Sequence, residues 1–587
     1  MSSPTNILSI HDGHNSSSLL QDYNGNTLRF DQEERFTKKK NQYGIPLNSI
    51  KSQIEEYGSE NISLEICSEI PPYPFISREA IIAYYDKSLK SNLTLNSLSK
   101  LNNFKFIKNY RYQSKLRTKE SINYIKNSIN QIIKIKDCNI YNHHECHAYS
   151  AFYSSSFYKR TDLKTIVLTV DGSGDSVCSS LSIQRGGLLQ KLWELPDRYS
   201  LGRLYAFMTY ILGMVPLEHE YKLMGLAPYA STQAANKCLE DLINITNYKR
   251  SKSGSPWSIS HVAKIERKIK DYIFTKRFDV LAAGIQLLIE KILKDTINSI
   301  LNFHKPSRLA ISGGVFMNVK LNSQISDICS KKSIELYVQP SCGDESLPLG
   351  ASYMYFIKKG ITPNSVPNNL YLGKSCIDEP KQKLYSKLSF LKNNYEIIPY
   401  SHEVAANKIA AGYIFGRCVG RTEFGARALG NRSIIADPRS LETINNINNA
   451  IKNRDFWMPF ACTILEEYAS RYIVPDSLKN IYTAKFMMNT FNTTIHARKT
   501  ITAGIHPKDK TTRCQILSSK ENKDYYDLIL SFGQMTDTYS LLNTSLNLHG
   551  YPVVNDLDDA LYVLDNSGLD GLILTKYIVI KSESVIN

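Results

Sequence analysis

Asn6-Ile7-Leu8-Ser9-Ile10-His11-Asp12-Gly13 and Thr165-Ile166-Val167-Leu168-Thr169-Val170-Asp171-Gly172 share one plan, an apolar run ending in Asp-Gly. A short apolar run closed by a turn signal reads as a buried strand. Asp-Gly then makes a tight turn that sets a carboxylate at the strand end, beside backbone N–H groups. Such a turn can hold a phosphate through its N–H groups or a metal through its acid. One of them is commonplace. Two predict a duplicated α/β half-domain with a cleft between the halves.

Working outward, Leu309-Ala310-Ile311 leads into Ser312-Gly313-Gly314 and then Val315-Phe316-Met317-Asn318. Strand, glycine turn and helix-like run form a candidate nucleotide contact through Ser312, Gly313, Gly314 and Asn318. Gly343-Asp344 places another acid in a loop, ahead of a helical stretch from Leu349 to Ile357. Gly360 to Leu372 is rich in Pro, Asn and Ser, a linker composition. We therefore expect two domains, 1–370 and 371–587.

His143-His144-Glu145-Cys146-His147 spaces two histidines four apart. On a helix both imidazoles leave one face and can share a metal, although one packed and one solvated histidine is the commoner outcome. Glu145 stands at the wrong offset for the zincin motif. Asp171 and Asp344 are available to complete a two-His, two-carboxylate set, which suits Fe(II), Mn(II) or Zn(II) without choosing among them. Glu218 to Tyr229 crowds acids, a lysine and a glycine together. It reads either as a helix end closed by Pro228 or as a cleft lining.

Gly420-Arg421-Thr422-Glu423-Phe424-Gly425-Ala426-Arg427-Ala428-Leu429-Gly430-Asn431-Arg432-Ser433 interleaves glycines with arginines between apolar segments. Arginine forks match phosphate or carboxylate oxygens in pairs, and glycines admit backbone N–H groups close to an anion. A clustered anion pocket is expected here, against the alternative of a solvated basic loop.

The 587 residues carry a formal charge of +16, which favours anionic partners without naming them. From Lys90 to Lys136, eleven Lys/Arg face one acid, Glu120. That window reads as a helical, basic insertion, with spaced isoleucines from Ser121 to Lys136, and as a solvated surface rather than a nucleic-acid site. Eleven cysteines without CxxC spacing argue for reduced thiols and a cytoplasmic protein. No basic-then-apolar leader and no run of about 18 apolar residues is seen, so neither a signal peptide nor a membrane span is expected.

Taken together, Asp12-Gly13-His14, Glu33-Glu34-Arg35-Phe36, the His143/His147 pair, Val170-Asp171-Gly172, Tyr221 to Leu226, Ser312-Gly313-Gly314, Gly343-Asp344, the 420–433 stretch and Leu542-Asn543-Thr544-Ser545 resemble the NodU/CmcH family of O-carbamoyltransferases. The likeness covers nearly the whole chain except an insertion near 88–136. It implies a duplicated actin-like ATPase (ribonuclease H-like) superfold followed by a YrdC-like α/β domain. It implies that the C-terminal domain makes carbamoyl adenylate from carbamoyl phosphate and ATP, with Mg on the ATP. The N-terminal domain would then pass the carbamoyl group to a hydroxyl of a small molecule or carbohydrate, as in natural-product biosynthesis. By the same resemblance His143, His147, Asp171 and Asp344 match metal ligands, with Fe(II) favoured. Arg421, Arg427, Arg432, Lys452, Arg454 and Arg513 fall in the basic C-terminal motifs, and Asn543 and Ser545 in a polar turn. Arg421 and Lys452 are the catalytic candidates there. In the first turn, His14 beside Asp12 is the candidate base for the acceptor hydroxyl. The sequence departs from the family around Pro507 to Arg513, at Ala426 and at Tyr551, which puts details of the C-terminal site in doubt. A tRNA-directed enzyme, with the insertion's Phe104, Phe106, Tyr110 and Tyr112 as its aromatics, and a non-catalytic ATP-binding scaffold are the competing readings. The resemblance argues against nucleic acid and membrane as partners and leaves an oligomer open.

Overall fold

The computed structural model describes residues 6–58, 62–67, 82, 83, 85, 120–362, 369–377 and 379–582. The basic stretch from 88 to 119 and its four aromatics lie outside the described residues. The chain divides into two compact units. The first is Met1–Leu28, Asn41–Met317 and Cys342–Val366; the second is Arg29–Lys40, Asn318–Ser341 and Pro367–Asn587. The expected division was a single cut near 370. Two shorter segments, 29–40 and 318–341, instead group with the C-terminal residues.

The first unit repeats one strand plan. β1 (Asn6–His11) forms an antiparallel hairpin with β2 (Ser17–Gln21). β3 (Thr27–Gln32) follows, its first two residues in this unit. β1 pairs in parallel with β4 (Ile62–Cys67), and β4 with β5 (Ile135–Ile140). The second sheet does likewise. β6 (Thr165–Gly174) is antiparallel to β7 (Val177–Arg185), which is antiparallel to β8 (Leu188–Pro196), while β6 runs parallel to β9 (Arg308–Ser312). The two sheets thus share a plan of an antiparallel pair with a parallel strand added to its first member. Asp12-Gly13 follows β1 in a turn as expected, but Asp171-Gly172 lies within β6, because that strand runs on to Gly174 and its turn comes at Asp175-Ser176. Residues on β1, β4 and β6 are almost all buried, which is why these runs are continuously apolar rather than alternating.

Ser121 to Lys136 was expected to be helical. The helix covers 120–130, and from Ile135 the chain is strand β5. The isoleucines explain both outcomes. Ile125 and Ile129 lie on one helical face, and with Ile133 and Ile135 they join the core of Leu8, Ile10, Leu64 and Ile66.

In the second unit, β10 (Glu335–Val338) precedes β11 (Tyr371–Ser375). An eight-stranded mixed sheet follows, built from β12 (Tyr395–Pro399), β13 (Phe415–Cys418), β15 (Arg432–Ala436), β16 (Ala461–Leu465), β19 (Gln515–Leu517), β20 (Ser540–Ser545), β21 (Gly571–Ile573) and β22 (Tyr577–Lys581). Its order is β12-β22-β21-β13-β15-β20-β16-β19. β14 (Arg421–Glu423) pairs with β11, and the short strands β17 (Phe491–Asn492) and β18 (Thr511–Thr512) pair with each other. The 420–433 stretch thus runs from the end of β13 through β14 into β15. Segment 29–40 is knit to it: the Phe30 and Phe424 rings stack at 3.6 Å, and Arg35 donates to the Gly425 carbonyl at 2.9 Å. Among the described residues no helix is long and apolar enough to cross a membrane.

Candidate metal centre and anion-binding face

Helix His143–Ser154 starts at Asn142, whose side-chain oxygen accepts the Glu145 N–H at 3.1 Å. Asn is a strong N-cap, and Glu145 in the first turn suits the positive helix end. His143 and His147 are fully buried on one face. Asp344 opens the short turn Asp344–Ser346 that enters helix Leu347–Lys358. A Cβ on Gly350 of that helix would lie 1.9 Å from the Cys146 carbonyl oxygen, so only glycine lets the two helices approach this closely. The approach carries Asp344 to the histidine pair. Asp171 ends the apolar part of β6, and its carbonyl accepts from Ser200 Oγ at 3.2 Å.

The four side chains converge. His147 Nε2 is 2.9 Å from Asp171 Oδ2 and 3.4 Å from Asp344 Oδ1; His143 Nε2 is 3.4 and 3.5 Å from the same two atoms. One ligand atom from each lies within 4.8 Å of all the others. Ligands bound to one ion at about 2.1 Å stand roughly 3.0–3.4 Å apart. The donor set and its spacing fit a divalent cation. Ser312 Oγ lies 3.4 Å from His147 Nδ1; where that hydroxyl accepts from Nδ1–H, Nε2 is left free to bind.

The charges tell the same story. Burial pulls His143 and His147 down, yet the flanking carboxylates outweigh it, holding His143 well above and His147 above the ordinary imidazole range. Burial raises Asp344, but His143 and His147 bring it well below the usual carboxylate range. Asp171 is likewise lowered, against burial and Asp344, by its two histidine bonds. Without a cation these groups hold protons between them; a cation would take the protons' place.

Around this group the glycines of 312–314 have a packing reason. A Cβ on Gly313 (φ +106°) would meet the Val170 carbonyl oxygen at 2.3 Å, and one on Gly314 would meet Asp171 Oδ1 at 2.9 Å. The turn wraps the Asp171 end of β6. Asn318, expected beside it, belongs to the second unit and caps helix Val319–Lys331 by accepting the Leu321 N–H at 3.1 Å. In the first turn Asp12 is fully buried, and the partly buried His14 meets the Tyr43 ring edge-on at 5.4 Å. His11, which the sequence reading passed over, is better placed. Its Nδ1 donates to the Cys67 carbonyl at 2.8 Å, its ring lies 6.3 Å from that of His143, and its buried Nε2 has no hydrogen-bond partner. Burial brings its pKa to about 4, so it is neutral. The only sequence signal for it was its place as last residue of the strand.

The glycine/arginine stretch resolves into scaffold and face. Arg432 is fully buried, and its guanidinium donates to the carbonyls of Val419, Gly420, Asn431 and Asn555. Arg421 donates to Gly373 and Leu372 carbonyls at 3.1 and 2.6 Å. Both therefore donate to main-chain carbonyls. The backbone N–H groups of Leu429, Asn431 and Arg432 converge on Glu423 Oε1 at 2.7–3.1 Å. The nest predicted to cradle an external anion holds the chain's own carboxylate. The glycines remain necessary: Gly425 and Gly430 have φ of +96° and +117°.

The polar face gathers instead at the end of β20. Lys452 Nζ donates to Ser545 O at 2.5 Å and Asn547 Oδ1 at 2.8 Å, and Arg454 donates to Thr544 Oγ1 at 2.9 Å. Burial, with Arg454 and Lys40 nearby, pushes Lys452 well below its ordinary pKa; the surrounding oxygens work against that by favouring the ammonium. Asn543 Nδ2 donates to the Ala428 carbonyl at 3.1 Å, next to Arg427, while its buried Oδ1 has no hydrogen-bond partner. Gln515, two residues after Arg513, donates to the Leu429 carbonyl at 3.3 Å and accepts from Thr463 at 2.9 Å. Thr463 and Glu423 are contributors that the motif reading missed.

Comparison with known proteins decides the family. A profile described as Carbamoyltransferase N-terminus matches residues 6–353, and one described as Carbamoyltransferase C-terminus matches 406–581. The chain belongs to the carbamoyltransferase family. An uncharacterised protein of Methanocaldococcus jannaschii is 30% identical over 593 residues, covering 98% of this chain and 99% of its own. Nodulation protein NolO of Bradyrhizobium diazoefficiens is 31% identical over 448 residues, 75% of this chain and 79% of its own. The 3'-hydroxymethylcephem-O-carbamoyltransferase of Streptomyces clavuligerus is 26% identical over 43% of this chain and 44% of its own. The carbamoyltransferase is an enzyme of the NodU/CmcH kind, as its motifs implied.

Proposed function

We propose that this carbamoyltransferase couples two reactions. Its second unit converts carbamoyl phosphate and ATP to carbamoyl adenylate: water cleaves carbamoyl phosphate to carbamate and phosphate, and the carbamate oxygen attacks the ATP α-phosphorus with pyrophosphate leaving. Its first unit transfers the carbamoyl group to a hydroxyl of a small molecule or carbohydrate, releasing AMP and the carbamate ester. The observation that carries this reading is the buried His143–His147–Asp171–Asp344 group within a carbamoyltransferase N-terminal region.

Two polyanions must meet in the first step, so cations are needed to offset repulsion and hold an in-line geometry. Lys452, Arg454, Arg427 and Arg513 are the candidates, with Asn543 and Ser545 as neutral partners and Mg on the ATP. Arg421 and Arg432 act by holding the loop through main-chain carbonyls. In the second step His143, His147, Asp171 and Asp344 would hold a divalent metal, with Fe(II) favoured by family resemblance. Such an ion supplies Lewis acidity toward the carbamoyl carbonyl or the adenylate phosphate. Ser312 orients His147, and the glycines of 312–314 keep the Asp171 strand end open to close approach. For the acceptor proton, His11 offers a neutral imidazole with an open Nε2, oriented by the Cys67 carbonyl. His14 and Asp12 shape the turn beside it.

His147→Ala tests the metal assignment. The wild-type protein should carry about one divalent ion per chain, and the variant should lose it. Full metal content in His147→Ala would remove the four-residue group from the account.

A further inference from the structure

The metal helix is pinned at its first residue by a carboxylate from the neighbouring hairpin. Asp175 and Ser176 form the two-residue turn between β6 and β7, flanked by the Gly174↔Val177 pair. Asp175 Oδ2 accepts the His143 backbone N–H at 2.8 Å and the Asn142 side-chain amide at 2.8 Å. Asn142 in turn caps the helix at Glu145. A single oxygen thus satisfies one free N–H of the helix start and orients the residue that satisfies another. It also places negative charge at the positive end of the helix.

The turn pays conformationally for this side chain. Asp175 and Ser176 both have positive φ, 52° and 64°. Tight hairpin turns of this hand favour Asn or Asp followed by glycine, and left-handed backbone without glycine is strained. Strain retained beside a candidate site points to a role for the side chain that causes it. Gly174 adds a second, independent contact. A Cβ there would lie 2.2 Å from the His143 ring, so the strand end presses directly on that imidazole. Asp171 stands on the same strand, three residues before Gly174. The hairpin therefore sets both a candidate ligand, Asp171, and the position of another, His143.

We propose that Asp175 is the positioning residue of the metal centre: its carboxylate locks the start of the His143 helix to the strand that carries Asp171. This rests on the reading of His143, His147, Asp171 and Asp344 as ligands. Asp175 contacts none of the reacting atoms in that reading. It fixes where the His143 imidazole stands relative to the two acids, as outer partners of ligands do elsewhere.

The test uses the full-length protein stripped of metal by chelation and titrated with Co(II), read by the visible absorption of the bound ion. Wild type should bind one equivalent with a defined spectrum. Asp175→Ala should weaken Co(II) binding about 10- to 100-fold and change the spectrum, the range seen when an outer partner of a ligand is lost. Asp175→Asn keeps an acceptor oxygen in the same place, so it should retain the wild-type spectrum with a smaller loss of affinity. Ser176→Gly relaxes the turn and should leave Co(II) binding unchanged. If Asp175→Ala bound Co(II) with wild-type affinity and spectrum while His147→Ala did not bind, the positioning role would be overturned and the metal assignment kept. If wild type itself bound no Co(II), both would fall. Should Asp175→Ala not fold, Asp175→Asn decides: loss of Co(II) binding as complete as in His147→Ala would contradict the role of the acceptor oxygen.

Discussion

At the scale of single residues, a half-buried carboxyl makes the protein respond to pH. Glu220 begins the helix Glu220–Leu226, accepts the Leu217 N–H at 2.7 Å, and is pushed by burial to about 7. In the folded state it binds a proton that the unfolded chain has released above its ordinary value of 4.5. The contribution of Glu220 to stability therefore falls as pH rises from about 4.5 through about 7, by an amount on the order of 3 kcal/mol at most. Glu220→Gln keeps the acceptor oxygen and removes the titration. Chemical denaturation between pH 5 and 8 should show a falling stability in wild type that flattens in the variant. An equally steep fall in both would assign the dependence elsewhere. The same residue resolves the crowded segment from Glu218 to Tyr229: it is a helix extended by a short turn at Ala227–Tyr229 that contains Pro228.

At the scale of elements, close backbone approach is what brings the two histidines and two acids together. Helix His143–Ser154 and helix Leu347–Lys358 meet where Gly350 faces the Cys146 carbonyl. Gly350→Ala forces the helices apart, because the obstacle is main chain and cannot rotate away. Overpacking of this kind costs about 1–3 kcal/mol, sometimes more. The expected result is a lowered melting temperature together with weakened metal binding, since Asp344 moves with its helix. A variant that melts lower but binds metal as tightly as wild type would separate the helix contact from the site. What was legible in advance follows the same logic. The histidine pair could be read because its geometry is local, two residues on one helix face. The Asp12-Gly13 turn could be read because its strand ends beside it, whereas Asp171-Gly172 carries the same signal and stays in strand to Gly174. Glu423 could not, because backbone N–H groups held by glycines look alike in sequence whether a ligand or a nearby carboxylate fills them. Arg421 and Arg432 looked like anion binders for the same reason: the carbonyls that receive them, among them Leu372, Gly373 and Asn555, lie far along the chain. His11 was hidden because a buried strand residue reads as core.

At the scale of the whole molecule, each of the two units carries its own chemistry-bearing group. The candidate metal ligands His143, His147, Asp171 and Asp344 all fall in the first, and Lys452, Arg454 and Asn543 in the second. Segments 29–40 and 318–341 show why a linker-based cut captured only part of the division: their partners, such as Gly425 for Arg35 and Met488 for Asn322, are distant in sequence. The central claim is that the two units perform separable reactions, and pyrophosphate release with metal content measured on the same preparations tests it without knowledge of the acceptor. Asp344→Asn should lose the metal yet keep carbamoyl-phosphate-dependent release of pyrophosphate from ATP. Lys452→Ala should keep the metal and lose that release by at least an order of magnitude. Loss of pyrophosphate release in Asp344→Asn, with release intact in Lys452→Ala, would contradict the account.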